Sequence, residues 1–276
     1  MNPTLSIFPK FFNNLSLLEL AGLIRDVGLD TTNLVVRGGF WVSPENIATE
    51  LPVFMRSMAA EGLQVKFATT GYSARELVLN SDPLKIMADN GIEYFRMGYF
   101  SYDRDVHGAI TGARADLSEL AAKCAAAGIR GVYQVHHGTL ISNASAAYMV
   151  FNGLSSKSLG VELDPGNQCY EGWENINRSI NLLGDYFCAM GIKDTIMKRD
   201  TTKINTSSKG WYREFVPLNE GVIDWYEIVR ALKAAGFGSH LVFMPFYDEN
   251  NLPEMRRKLK IEVAYLRQVI ADVMGE

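Results

Sequence analysis

Apolar and β-branched residues recur along the chain in short runs, each ended by Gly, Pro, Asn or Asp and followed by a longer stretch with apolar residues three or four positions apart. The short runs predict strands near 4–8, 32–37, 63–70, 92–97, 129–135, 158–163, 186–193 and 239–246. The longer periods predict helices near 16–27, 45–62, 82–90, 112–127, 143–154, 171–185, 222–236 and 253–274. Helix starts agree with this division: Ser16 and Glu19 have capping-box spacing, Pro44 and Pro253 fall where a first-turn proline is tolerated, and Ser81-Asp82-Pro83 opens a third helix. Gly28, Gly62, Gly91, Gly128 and Gly236 close amphipathic runs just before the next strand, where a left-handed residue ends a helix.

Strand alternating with helix, with no Pro/Ser-rich linker between, predicts a single α/β domain over residues 1–276: a (β/α)8 TIM barrel with a long C-terminal helix. The alternative is a doubly wound open sheet, but no G-x-G-x-x-G follows the first strand. In a barrel the chemistry gathers at the C-terminal ends of the strands. Those ends carry Arg37, Arg96, Gln134 with His136 and His137, Glu162 with Asp164, and Lys193 with Asp194.

Composition then narrows the partners. Lys plus Arg number 27 against 31 Asp plus Glu, a net charge of −4, which argues against a protein built to neutralise nucleic-acid phosphates. Cys124, Cys169 and Cys188 are odd in number and fit no C-x-x-C spacing, so neither a disulfide framework nor a cysteine zinc site is expected, and a cytoplasmic setting fits. No apolar run approaches the roughly 18 residues a bilayer span needs, and the first residues lack a basic segment followed by an apolar one, so no membrane partner is expected.

Six segments in order resemble the xylose-isomerase-like barrels, the sugar phosphate isomerase/epimerase superfamily. They are Arg37-Gly38-Gly39 with Val42-x-Pro44-Glu45; Gly91 to Phe100; Tyr133-Gln134-Val135-His136-His137-Gly138; Gly160 to Asn167; Ile192-Lys193-Asp194; and Val216 to Trp225. The resemblance implies a divalent metal at the barrel mouth and proton transfer between adjacent sugar carbons through an enediolate, with two glutamates on opposite sides of the substrate. It also implies dimers or tetramers. The family's first glutamate stands where this chain has Gln134, its histidine three residues after Asp164 is Asn167, its strand-seven histidine falls at Gly191, and its last-strand glutamate falls in Val242-Phe243-Met244-Pro245-Phe246. An amide cannot be the base, so the two-glutamate mechanism does not transfer. The remaining donors would hold Mn2+ or Mg2+ through Asp164 and Gln134, with water completing the shell.

What remains for catalysis is Glu162, His136 and Lys193. Strand alternation puts Glu162 on the face of Asp164, as a substitute base or as an interior residue paired with a neighbouring cation. His136 titrates nearest neutrality, and Lys193 offers positive charge to an enediolate or pairs with Asp164 or Asp194. For substrate binding the candidates are Arg37 and Arg96, whose bidentate geometry suits a carboxylate or phosphate or else the bracing of neighbouring acids, Gln134 and Asn167, together with Trp211 and Arg213 in a polar stretch, 198–215, read as a long loop that acts as a lid or is simply solvent-exposed. Tyr94, Phe95, Tyr99, Phe100 and Tyr102 form a candidate aromatic wall, and His107 and His240 are read as structural or solvent-exposed.

The leading expectation is a sugar, sugar-acid or polyol isomerase or epimerase with a small carbohydrate substrate. The alternative is a non-catalytic carbohydrate-binding descendant that lost the acid/base pair. A dehydratase or lyase on a related polyol shares the enolate chemistry. The superfamily's DNA-repair branch needs a trinuclear zinc centre that four histidines, two of them adjacent, do not readily build.

Overall fold

The computed structural model describes residues 2–276. Ten strands form: β1 (Thr4–Ile7), β2 (Leu34–Val36), β3 (Phe67–Thr70), β4 (Tyr94–Arg96), β5 (Arg130–Gln134), β6 (Leu159–Leu163), β7 (Phe187–Ile192), β8 (Asp194–Arg199), β9 (Trp211–Val216) and β10 (His240–Phe243). All but β8 and β9 join one eight-stranded sheet, ordered β1-β10-β7-β6-β5-β4-β3-β2. Its pairs are parallel. A parallel bridge between Ile7 and Thr32 and the 2.9 Å bond from the Asn33 amide to the Ile7 carbonyl bring the two ends of the sheet together, giving the barrel that the alternation predicts.

The helices are α1 (Leu17–Asp26), α2 (Ile47–Ala60), α3 (Ala74–Leu79), α4 (Asp82–Asp89), α5 (Val106–Ala127), α6 (Ala144–Phe151), α7 (Pro165–Gln168), α8 (Ile176–Leu183), α9 (Trp225–Ala234) and α10 (Leu252–Gly275). The Ser16–Glu19 capping box opens α1 as its spacing requires. A second box, Ser73–Glu76, opens α3, a helix too short to show apolar periodicity. The Asp105 side chain accepts from the Gly108 amide and starts α5 six residues earlier than the expected 112.

Side chains pointing out from the strands, among them Ile7, Val36, Phe95, Tyr133, Val161, Ile192 and Phe243, merge with the inner faces of the helices into one core. Inside the barrel, Phe67, Val132, Cys188 and Ala189 pack together with Tyr94 against them. His240, the first residue of β10, stands edge-on to Phe67 and Tyr94 at this N-terminal end, away from the chemistry as its position suggests. Gly160 is needed here, because a Cβ would run into Cys188 Sγ. At the other end Phe8, Val35, Val242 and Met244 pack inward, and the remaining interior is polar: Arg96, Gln134, Glu162, Asp164 and Lys193 are all buried.

The stretch expected to be a loop is a hairpin instead. β8 and β9 pair antiparallel from Asp194 opposite Val216 at the base to Arg199 opposite Trp211 at the tip. Both faces of its outer part are open to solvent, with Met197, Trp211 and Tyr212 all exposed, so no apolar-in, polar-out alternation marked it as strand. Asp194 anchors the base: it accepts from the amides of Thr195 at 2.7 Å and Val222 at 3.0 Å and from Trp225 Nε1 at 2.8 Å. A Cβ on Gly221 would overlap the Asp194 carboxylate, which fixes glycine there.

α10 buries Met255, Leu259, Val263, Leu266, Val269 and Val273. Its basic start lies on the surface, where Arg256 and Lys260 pair with Asp26 of α1 at 2.9 and 3.3 Å. Among the described residues no helix is long and apolar enough to cross a membrane.

Candidate active site

At the C-terminal ends of β4 to β7 the inward side chains lock together. Asp164 follows β6 and caps α7, its Oδ1 accepting from the Asn167 amide at 2.8 Å. Its Oδ2 accepts from Gln134 Nε2 at 2.6 Å and Asn167 Nδ2 at 2.8 Å, and lies 3.0 Å from Lys193 Nζ. The Lys193 ammonium also donates to Asn167 Oδ1 at 2.7 Å. Gln134 Oε1 accepts from Tyr99 Oη at 2.6 Å and from Arg96 Nη1. The close approach of α7 to Lys193 depends on Gly166, whose Cβ would lie 2.8 Å from the Lys193 carbonyl oxygen.

This network decides whether the implied metal fits. Asp164 Oδ2 already faces three donors, one of them a cation, and Gln134 Oε1 takes two. An oxygen so engaged has no lone pair left for an ion. At the strand-seven position Gly191 brings no ligand, and a Cβ there would lie 3.0 Å from Asp164 Oδ2. From beyond β10 it is Met244, not a carboxylate, that reaches inward, its sulfur 3.3 Å from Gln134 Nε2. Among the described residues no three His, Cys, Asp or Glu side chains converge as a metal group would require. The oxygens expected to hold Mn2+ or Mg2+ are thus largely engaged within the protein, Asp164 Oδ2 and Gln134 Oε1 by side-chain donors and Asp164 Oδ1 by the Asn167 amide, and the Lys193 ammonium takes the charge-neutralising position beside Asp164, so the donor set does not favour a divalent ion.

Glu162 is fully buried, and neither of its carboxylate oxygens has a hydrogen-bond partner. Burial pushes its pKa up to about 7, with Asp164 adding to the rise and Arg96 and Lys193 opposing it. The expected pairing with a neighbouring cation does not form as a contact, although the buried Arg96 Nε is also without a partner.

His136 stands half-buried just beyond β5. Its Nδ1 is 2.7 Å from the His137 carbonyl oxygen. A carbonyl only accepts, so Nδ1 carries the hydrogen and the lone pair of the neutral ring resides on Nε2. Burial lowers the His136 pKa to about 4, the His137 carbonyl opposing, so the imidazole is neutral at pH 7. Lys193 is held below the usual lysine range by burial, with Asp164 opposing. Two of its three N–H groups are used by Asp164 and Asn167. The ammonium also lies 4.5 and 5.0 Å from the ring centroids of Phe215 and Phe246.

Around this centre runs an arc of rings. Tyr99, His136, His137, Tyr170 and Phe215 follow one another at centroid separations of 4.6, 4.4, 4.5 and 5.2 Å. Phe246 and Phe8 continue the arc at 5.7 and 6.4 Å. Of the expected aromatic wall only Tyr99 belongs to it; Phe100 stacks on Tyr133, Phe95 joins the outer core, Tyr94 is at the far end of the barrel, and Tyr102 is exposed. Arg213 lies 5.6 Å from the Tyr170 centroid and reaches the arc, whereas Trp211 is carried to the hairpin tip, where it stacks with Arg199. Trp211 thus stands away from the ring arc, five residues up the strand from the base of the hairpin. Arg37 lies half-buried over Phe8 and donates to the Thr70 carbonyl oxygen at 3.4 Å. Tyr170, Phe215, Phe246, Phe8 and Lys10 were not singled out from the sequence. Phe8 and Phe246 fall at or beyond the ends of β1 and β10, and the others in loops or on the hairpin, where no periodicity indicates direction.

Comparison with known proteins agrees with this architecture. The family model described as xylose isomerase-like TIM barrel matches residues 73–269. Among curated proteins none matches the chain in sequence. Among solved structures, an L-ribulose 3-epimerase superposes with a TM-score of 0.73 at 16% identity, covering 99% of this chain and 95% of its own. A D-psicose 3-epimerase, solved in the presence of D-fructose, gives 0.67 at 14% identity over 97% and 99%. A xylose isomerase-like TIM barrel protein from Mycobacterium smegmatis, in complex with magnesium, gives 0.68 at 15% identity over 98% of both chains. At such identities the likeness establishes the fold alone. With the family match, the chain belongs to the xylose isomerase-like TIM barrels.

Proposed function

We propose that this chain, as one barrel domain, is an isomerase or epimerase of a small carbohydrate, working by proton transfer at the C-terminal mouth without a metal. The observation that carries the reading is His136: a neutral imidazole with Nδ1–H fixed on a carbonyl and Nε2 free, within electrostatic reach of the buried Lys193 ammonium. Nε2 takes the carbon-bound proton next to a substrate carbonyl, and the uncommitted N–H of Lys193 meets the charge that develops on the enediolate oxygen. Returning the proton to the adjacent carbon, with the hydroxyl proton passing to the former carbonyl oxygen, completes an isomerisation. Glu162, with both oxygens free and a pKa near neutrality, is the second titrating group and the source of a proton for epimerisation from the other side. Arg96, Gln134 and Asn167 hold Asp164 and Lys193 in place, and Arg37, Arg213 and the ring arc receive the sugar, whose C–H faces stack on aromatic rings. The epimerases among the structural neighbours favour this substrate class.

The second reading, a binding protein without turnover, is favoured by Gln134, whose amide stands where the family's base would be and is spent on Asp164. Incubation with aldose–ketose and epimer pairs in deuterated water separates the two. Deuterium entering the carbon next to the carbonyl supports proton transfer, and binding without exchange supports the other reading.

A further inference from the structure

Four cations surround the ring pair Phe8–Phe246, whose centroids are 6.4 Å apart. Arg37 and Arg96 lie 5.8 and 5.4 Å from the Phe8 centroid, and Lys10 and Lys193 lie 4.8 and 5.0 Å from that of Phe246. Lys10, in the turn after β1, also lies 5.0 Å from the Phe11 centroid. Of the four, only Lys193 makes an ion pair, with Asp164. Elsewhere on the molecule Arg25, Lys66, Lys198, Arg230, Arg256 and Lys258 each pair with a carboxylate, while Arg114 and Arg130 donate to backbone carbonyls and Arg199 and Arg213 lie over rings; the mouth is distinct in gathering four cations around one ring pair.

The manner of support matters. A ring face steadies a cation through its quadrupole and leaves the N–H donors of the guanidinium or ammonium unspent. Carboxylate pairing would consume those donors. Arg37 spends one N–H on a backbone carbonyl and Arg96 spends Nη1 on Gln134 Oε1, while the buried Nε of Arg96 has no partner among the described residues. The cluster also repels itself. Burial and then Arg96 bring the Arg37 pKa down to about 10, and Lys10 is lowered by burial and by both arginines, with only Glu249 opposing. Like charges held together, half-buried at Lys10 and Arg37 and buried at Arg96, with donors to spare and no carboxylate within contact distance, are stabilised by an anion supplied from outside.

We propose that Lys10, Arg37 and Arg96 form a receptor for an anionic group, a carboxylate or a phosphate, so that the ligand of this mouth is an acidic carbohydrate. This rests on the reading of the mouth as a carbohydrate site and adds the chemical class. The neutral end of the ligand lies along the ring arc toward His136, and the anion lies on the β1–β2 side, where Arg37 and Lys10 point over the rings. Lys10 is thereby assigned a binding role together with the two arginines.

Calorimetric titration with D-gluconate, D-glucose 6-phosphate and D-glucose tests this on the full chain, comparing wild type with Lys10→Gln, Arg37→Gln and Lys66→Gln. Lys66 pairs with Glu93 and precedes β3, at the opposite end of the barrel, so its substitution controls for net charge. The expected result is that at least one acidic sugar binds wild type at least tenfold more tightly than glucose. That advantage falls at least tenfold in Lys10→Gln and in Arg37→Gln and is kept in Lys66→Gln. Preference for gluconate assigns a sugar acid, and preference for the phosphate assigns a phosphorylated sugar. Acidic sugars that bind no more tightly than glucose, or an advantage unchanged in both mouth variants, would overturn the proposal. The readout is binding, not turnover: deuterium exchange on a neutral sugar would leave the isomerase reading standing if the anion receptor failed, and acid-selective binding without exchange would do the reverse.

Discussion

Replacing Glu162 by Gln removes a buried ionisable group while keeping its shape, and the consequence for stability follows from the pKa. The carboxyl moves from 4.5 to about 7 on folding, driven first by burial. A carboxyl whose folded pKa is raised contributes its full stability below pH 4.5, and that contribution is lost as pH rises toward 7. Each pH unit between the two values is worth about 1.4 kcal/mol, so the ionised wild type is destabilised by roughly 3 kcal/mol above pH 7 relative to its protonated form. The amide that replaces the carboxyl cannot ionise. Urea denaturation from pH 5 to pH 9 should show the variant close to wild type at the acid end and gaining on it with pH, by roughly 3 kcal/mol at pH 8. Glu262, buried against Tyr247 and raised to about 8, bends both curves alike and cancels in the difference. Parallel curves for the two proteins would show that Glu162 does not titrate between 4.5 and 7 and would remove it as a proton carrier at neutral pH.

Three further outcomes are expected. Lys193→Met leaves the Asp164 carboxylate buried without its cation, and should cost about 3 kcal/mol in the same denaturation assay; a loss under about 1 kcal/mol would mean that Lys193 is not the internal counter-ion. Titration of Mn2+ or Mg2+ into the protein should give no stoichiometric heat, and a one-to-one ion lost in Asp164→Asn would contradict the saturated donor set. Gly160→Ala forces a methyl onto Cys188 Sγ inside the barrel and should destabilise by about 1–3 kcal/mol, measured as a fall in Tm.

The barrel was legible because short apolar or β-branched runs soon meet a turn residue, as in Leu34-Val35-Val36 before Arg37-Gly38 or Leu241-Val242-Phe243 before Met244-Pro245, and because the C-terminal helix keeps its apolar spacing from Met255 to Val273. The residues lining the mouth were legible from the same rule, since strand ends place Arg37, Arg96, Gln134, Glu162, Asp164 and Lys193 there whatever their chemistry. What the pattern could not give was their mutual bonding. Whether Lys193 turns to Asp164, to Asp194 or to the open mouth depends on three-dimensional neighbours, and the structure divides the two acids: Asp164 takes the ammonium, while Asp194 is spent on the hairpin base and the Trp225 indole. The hairpin itself was hidden because exposure on both faces erases the period-two signal. Lys10 and the part of the ring arc formed by Tyr170, Phe215, Phe246 and Phe8 were hidden for a related reason, because residues at strand ends and in loops meet only through the barrel's closure.

Solvent hydrogen exchange tests the central claim most directly. Wild type and His136→Gln are incubated in deuterated water with a panel of neutral and acidic aldose–ketose and epimer pairs, and the carbon-bound protons are followed by NMR. The account predicts deuterium incorporation next to the carbonyl by wild type for at least one pair. For an aldose–ketose pair the rate should be level above about pH 5 and fall as pH drops through about 4, where His136 becomes protonated, and at least a hundredfold should be lost in His136→Gln. Exchange that persists in His136→Gln would contradict the assignment of the base, and no exchange by wild type with a ligand it binds would contradict proton transfer as the work of this barrel.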